Sequence, residues 1–185
     1  MFDESSTKII RDYLGNSSIV LIGLMGAGKT TLGRRLAKHL SLPFKDADQE
    51  IETAAGMSVS EFFSNFGEAK FREGEEKVIG RLLDNGPQIL ATGGGAFMRE
   101  ATRNNIRQKG ISVWLRGDLD VLMKRISLRQ TRPLLQVDNP EQVMQKLIDE
   151  RYPIYAAANI TIDTIDAPHN VMIENLLGKM VEYAS

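Results

Sequence analysis

The stretch Gly23–Thr30, GLMGAGKT, fits the pattern G-x-x-x-x-G-K-[ST]. An apolar run precedes it and an amphipathic segment follows, the context in which this pattern holds a nucleoside triphosphate. Gly23, Gly26 and Gly28 allow successive backbone N–H groups to curl around phosphate oxygens. A helix starting behind them points its positive end at the same anion. Lys29 is expected to neutralise the β- and γ-phosphates, and the Thr30 hydroxyl to ligate Mg²⁺. The pattern does not say what receives the phosphoryl group.

Asp46 and Asp48 stand two apart in KDAD. In an extended segment such residues share a side, and parallel strands offer ligands at their carboxyl ends. One carboxylate would serve Mg²⁺, directly or through water, and the other would take the proton of an attacking hydroxyl. The competing reading is that Asp48 merely caps a helix beginning at Gln49.

Arg72, Arg132 and Arg151 could supply guanidinium forks for carboxylate or phosphate. Each has an ordinary alternative as a solvated surface arginine, and Arg72 could pair along its helix with Glu68, Glu75 or Glu76. Arg132 lies in a polar, cationic segment with two prolines (127–140) that resists helix assignment and reads as a lid over the nucleotide. Three consecutive glycines, Gly93, Gly94 and Gly95, end another apolar run. A bare turn needs one glycine. Three imply a hinge or a ligand that comes close to the backbone.

The elements that would position these residues follow from periodicity. Residues 5–14 read as a short helix ending at Gly15. Apolar, β-branched runs give strands at 18–23, 42–48, 87–95, 111–117 and 159–163. Helices are expected at 29–40, with Leu32, Leu36 and Leu40 on one face, and at 49–54, stopping at Gly56. Ser58 or Ser60 could cap a further helix that buries Val59, Phe62 and Phe63, breaks at Gly67 and resumes over 68–84. More helices are expected at 99–109, at 119–127 capped by Asp118, from Pro140 onward with an interruption near Pro153, and at 168–183. Strands and helices that alternate five times give a parallel sheet covered on both faces. No internal repeat or linker divides the 185 residues, so one domain is expected.

Composition narrows the function classes. A net charge of −1 does not suit an electrostatic nucleic-acid binder. There is no cysteine and only His39 and His169 offer imidazole, which disfavours a zinc site. No run approaches the roughly 18 apolar residues of a membrane span. The N-terminus lacks the apolar region of a signal peptide. A cytoplasmic enzyme or binding protein is expected.

Taken in order, GLMGAGKTTLGRRLA, the DAD pair, Phe71-Arg72, Gly93–Gly95, RPLL at 132–135 and RYPIY at 151–155 resemble the shikimate kinase family, over about residues 19–165. The resemblance implies a P-loop fold like that of the nucleoside monophosphate kinases, with strand order 2-3-1-4-5. It implies transfer of the γ-phosphoryl of ATP to the 3-hydroxyl of shikimate, in aromatic amino-acid biosynthesis. ATP would contact Gly26, Ala27, Gly28, Lys29, Thr30, Thr31, Arg125 and Arg132. Mg²⁺ would sit at Thr30 and, through water, Asp46. Shikimate would meet Asp48, Arg72, Arg151 and the wall of Gly93, Gly94 and Gly95, with Gly94 and Gly95 the closest. Lys29, Asp48 and Arg132 would be catalytic, Asp48 as the candidate base, with Glu75 orienting Arg72. Phe63 and Phe71 match apolar walls of the pocket. The resemblance suggests a monomer, and residues 1–17 precede the family core. The rivals are another small-molecule kinase, acting on gluconate or a nucleoside monophosphate, and a P-loop NTPase with no small acceptor.

Overall fold

The computed structural model describes residues 4–128 and 138–185. The five strands are β1 (Ser18–Ile22), β2 (Phe44–Asp46), β3 (Ile89–Ala91), β4 (Gly110–Arg116) and β5 (Ile160–Asp163). They form one all-parallel sheet in the order β2-β3-β1-β4-β5, as expected. β1 lies at the centre, with Ile19 paired to Ile89 on one side and to Ile111 on the other. Its run SIVLI is wholly buried, because helices cover both faces and leave no solvent side for polar residues.

Around the sheet pack α1 (Glu4–Leu14), α2 (Lys29–Leu40), α3 (Ala47–Ala55), α4 (Val59–Asp84), α5 (Glu100–Lys109), α6 (Leu119–Ser127), α7 (Pro140–Tyr155) and α8 (His169–Ala184). Leu32, Leu36 and Leu40 form the buried stripe of α2. Gly33 lets that helix close on the sheet, since a Cβ there would stand 2.6 Å from Phe44 Cε2. The N-terminal helix α1 buries Ile10 and Leu14, and its Tyr13 meets Tyr183 of α8 edge to face at 5.7 Å. Among the described residues, no helix is long and apolar enough to cross a membrane.

Several boundaries differ from expectation. β2 stops at Asp46, not 48, because the Asp46 side chain accepts from the Asp48 N–H at 3.2 Å and so starts α3 at Ala47. Asp46 is therefore the cap, and Asp48 sits in the first helical turn, not on a shared strand face. The ladder of β3 ends at Ala91, and the three glycines lie beyond it, in a turn that leads into a 3₁₀ turn, Ala96–Met98. Pro153 does not interrupt α7. Its missing N–H falls in the last turn, opposite an exposed Asp149, where the loss disturbs little. Asp118 stands at the N-cap of α6 without a side-chain bond. Val59, Phe62 and Phe63 are only half-buried: Val59 and Phe63 line a cavity, and Phe62 packs against the rings of Phe66 and Phe71. Ser58 caps α4 reciprocally with Glu61, and Gly67 breaks that helix at φ 76°, ψ 170°, both as expected.

Candidate active site

Every predicted site residue except Arg132, which lies outside the described residues, lines one cavity of about 610 Å³ at the carboxyl edge of the sheet. Residues 129–137 of the expected lid (127–139) lie outside the described residues as well.

One half of the cavity is the phosphate loop between β1 and α2. Gly26 and Gly28 take positive φ, 83° and 96°, and Gly28 forms the N-cap of α2. That left-handed step turns backbone N–H groups inward. Lys29 Nζ donates to the carbonyls of Gly23 at 2.7 Å and Leu24 at 3.0 Å, folding its stem back across the loop. Thr30 Oγ1 donates to Asp46 Oδ2 at 2.9 Å. Asp46 thus serves two tasks: Oδ2 meets the loop threonine while Oδ1 caps α3. A hydroxyl and a carboxylate here are hard oxygen donors, the chemistry that suits Mg²⁺.

Arg125 of α6 braces this half. Its Nη1 donates to Thr164 Oγ1 at 2.6 Å and to the Ala27 carbonyl at 3.4 Å, and its Nη2 donates to the Ile165 carbonyl at 2.7 Å. Thr164 Oγ1 in turn donates to the Ala27 carbonyl at 3.3 Å. Thr164 is not among the residues expected at the site, although its place just past β5 at the ligand edge is a usable signal.

The other half gathers around the glycines. Arg72 Nη1 donates to Glu75 Oε2 at 2.6 Å, and weaker contacts at 3.4 Å reach Glu68. Glu75 is only 1% exposed, and its Oε1 has no partner among the described residues. Arg151 Nη1 donates to the Gly94 carbonyl at 2.9 Å, which also accepts from the Tyr155 hydroxyl. A Cβ on Gly93 would stand 2.9 Å from both Asp48 Oδ1 and Glu75 Oε1. The glycines therefore separate two carboxylates and two guanidinium groups that would otherwise collide with side chains. The rings of Phe63 and Phe71 lie 4.4 Å apart, and the Arg72 guanidinium lies 5.2 Å from the Phe71 centroid.

The charges respond to this crowding. Burial pushes the Asp48 carboxyl above the usual range, and neighbouring Asp46 pushes it further, against the pull of Lys29 and Arg72. Burial raises Glu75 too, opposed by Arg72 and helped by Asp48. Burial works against the Arg72 charge, but Glu75 and Glu68 outweigh it and raise its pKa. A carboxylate with raised pKa beside the phosphate loop is a better proton acceptor than a solvated aspartate.

A phosphate loop at the edge of a 2-3-1-4-5 parallel sheet, opposite an acceptor half built from arginines and carboxylates, defines a P-loop kinase of a small acidic molecule. The family model described as shikimate kinase matches residues 25–181. The chain belongs to the shikimate kinase family, whose members transfer the γ-phosphoryl of ATP to shikimate. A shikimate kinase of Brucella canis is 54% identical over 171 residues, 92% of this chain and 86% of the relative. One from Bradyrhizobium diazoefficiens is 54% identical over 168 residues, 91% and 81% of the two chains. The solved shikimate kinase of Acinetobacter baumannii, in complex with shikimate, superposes with a TM-score of 0.86 at 36% identity, covering 94% of this chain and 97% of that one. A gluconokinase of Sinorhizobium meliloti, at 18% identity and a TM-score of 0.65, shares the fold alone.

Proposed function

We propose that the two halves of the cavity divide the reaction as follows. The Gly26–Thr31 loop and Arg125 hold ATP, with Lys29 on its terminal phosphates. Arg72 and Arg151 grip the shikimate carboxylate as two forks, and Gly93–Gly95 lie against its ring. Asp48 receives the proton of the 3-hydroxyl as that oxygen attacks the γ-phosphorus. ADP leaves, so the phosphoryl group passes from one oxygen to another and the proton to Asp48. Thr30 and, through water, Asp46 would hold Mg²⁺, which would supply charge for the phosphates, with further ligands from nucleotide and water. Arg132, assigned from sequence alone, adds transition-state charge from the lid.

The observation that carries this reading is the convergence of Asp48, Arg72 and Arg151 on the three glycines beside the phosphate loop. A nucleoside monophosphate would need a base-specific pocket there, whereas a small carboxylate with several hydroxyls needs the forks and one acceptor. The continuous core supports reading the chain as one catalytic domain.

Coupled ADP release with ATP and Mg²⁺ tests the assignment. Shikimate is expected to drive turnover, and gluconate and AMP are not. ADP release indifferent to shikimate would overturn the reading.

A further inference from the structure

The last turn of α7 carries two tyrosines three residues apart, Tyr152 and Tyr155. Each hydroxyl ends on the carbonyl of a glycine just past a strand. Tyr152 donates to Gly117, beyond β4, and Tyr155 donates to Gly94, beyond β3. The two sites differ in what else they touch. Gly117 borders the loop of Thr164, on the nucleotide side. The Gly94 carbonyl takes a second bond, from Arg151 Nη1 at 2.9 Å.

Tyr155 is fully buried, with its ring against Trp114 at 5.9 Å and Phe97 at 6.3 Å. Burial pushes its hydroxyl up to about 12, against the opposing effect of Arg151, so it remains a donor at any working pH. A peptide unit is planar, so a fixed Gly94 carbonyl also fixes the Gly95 N–H on its far side. The same glycine packs near the phosphate loop, since a Cβ on it would stand 3.6 Å from the Gly23 carbonyl that accepts from Lys29. Without the Tyr155 hydroxyl, this junction would hang on Arg151 alone, a long side chain that must also hold the acceptor.

We infer that Tyr155 is a positioning residue: its hydroxyl shares the Gly94 carbonyl with Arg151 and so lets Arg151 keep its fork on the acceptor carboxylate. The inference rests on the function proposed above.

Tyr155→Phe keeps the ring and removes only the hydroxyl. The KM for shikimate is expected to rise roughly fivefold to tenfold, the scale of one lost hydrogen bond. The KM for ATP should stay within about twofold and thermal stability close to the parent. Because the effect runs through Arg151, the same change in an Arg151→Ala background should add less than about twofold. Tyr152→Phe, which frees Gly117 instead, should leave the shikimate KM within about twofold. Calorimetric shikimate binding should follow the KM values. An unchanged shikimate KM in Tyr155→Phe overturns the inference. So does an equal factor in both backgrounds, or a parallel loss of ATP affinity and stability, which would mark plain packing. If the parent enzyme lacks shikimate-dependent ADP release, the proposed function falls and the inference with it. If the parent is active, only the inference is at stake.

Discussion

The Arg72 guanidinium and the Glu75 carboxylate meet at 2.6 Å, one turn apart on α4, and Glu75 is almost wholly buried. The pair fixes one prong of the acceptor site before any acceptor arrives. Charge-assisted bonds of this kind hold geometry more than they add net stability. Glu75→Gln keeps the shape but loses the counter-charge, so Arg72 can swing toward Glu68. The expected outcome is a shikimate KM raised roughly tenfold with kcat changed much less, checked by steady-state kinetics. Arg72→Ala removes the prong itself and should cost about 2 kcal/mol of binding, roughly thirtyfold in KM. A Glu75→Gln enzyme with an unchanged KM would make the pair structural only.

Asp48 carries a prediction with opposite signs for activity and stability. Its folded pKa is raised, first by burial and then by Asp46. A carboxyl with a raised folded pKa contributes stability below its unfolded value, near 3.8, and loses that contribution as pH rises through the folded value. At pH 7 the ionised Asp48 therefore costs stability. Asp48→Asn should melt higher than the parent at pH 7, and the gap should close as pH falls below the ordinary aspartate range. The same variant should lose about 10²- to 10⁴-fold in kcat if Asp48 is the base. Thermal scans across pH and kinetics at saturating substrates read the two effects separately. Near-normal kcat would remove the base role.

Arg125 makes its case through what it touches. It joins Ala27 in the phosphate loop to Thr164 and Ile165 beyond β5. Arg125→Ala should raise the KM for ATP about tenfold and leave shikimate affinity alone. Thr164→Val should do the same more weakly, since it removes the bonds to Arg125 and to the Ala27 carbonyl. Nucleotide titration calorimetry on both variants checks this. An effect on shikimate instead would move Arg125 out of the nucleotide half.

The phosphate loop was legible because its spacing encodes its own geometry: glycines for the left-handed steps, then lysine and threonine on the first helical turn. The five strands were legible because burial on both faces leaves unbroken apolar runs, as in SIVLI. The arginines could be named but not brought together, since Arg72 on α4 and Arg151 on α7 meet only through the sheet order. The division of labour between Asp46 and Asp48 came from the family resemblance alone; the residues themselves offered only Asp48 as a helix cap, and the fold shows that Asp46 is the cap. Tyr155, quoted only as part of RYPIY, and Thr164, just past the last strand, received no role for another reason. Position in the chain marks such residues as near the ligand edge, but the bond from a buried hydroxyl to a backbone carbonyl is set only by the fold.

The three glycines are not equivalent, and their differences make a ranked prediction. A Cβ on Gly95 would stand 2.5 Å from Arg72 Cζ and 2.6 Å from its Nη1. One on Gly93 would stand 2.9 Å from a carboxylate oxygen of both Asp48 and Glu75. One on Gly94 would stand 3.3 Å from Arg151 Nη1, a contact that a small shift relieves. None of the three takes a positive φ, so backbone strain does not enter and the neighbours alone decide the cost. Gly95→Ala must displace the Arg72 fork and should raise the shikimate KM most. Gly93→Ala presses on Asp48 and should lower kcat as well as affinity. Gly94→Ala should weaken shikimate binding only a few-fold, with ATP binding intact in all three. Kinetics with each substrate varied in turn gives the order, and a Gly94 variant worse than Gly95 would mean that the ligand, not Arg72, sets the need for a bare backbone.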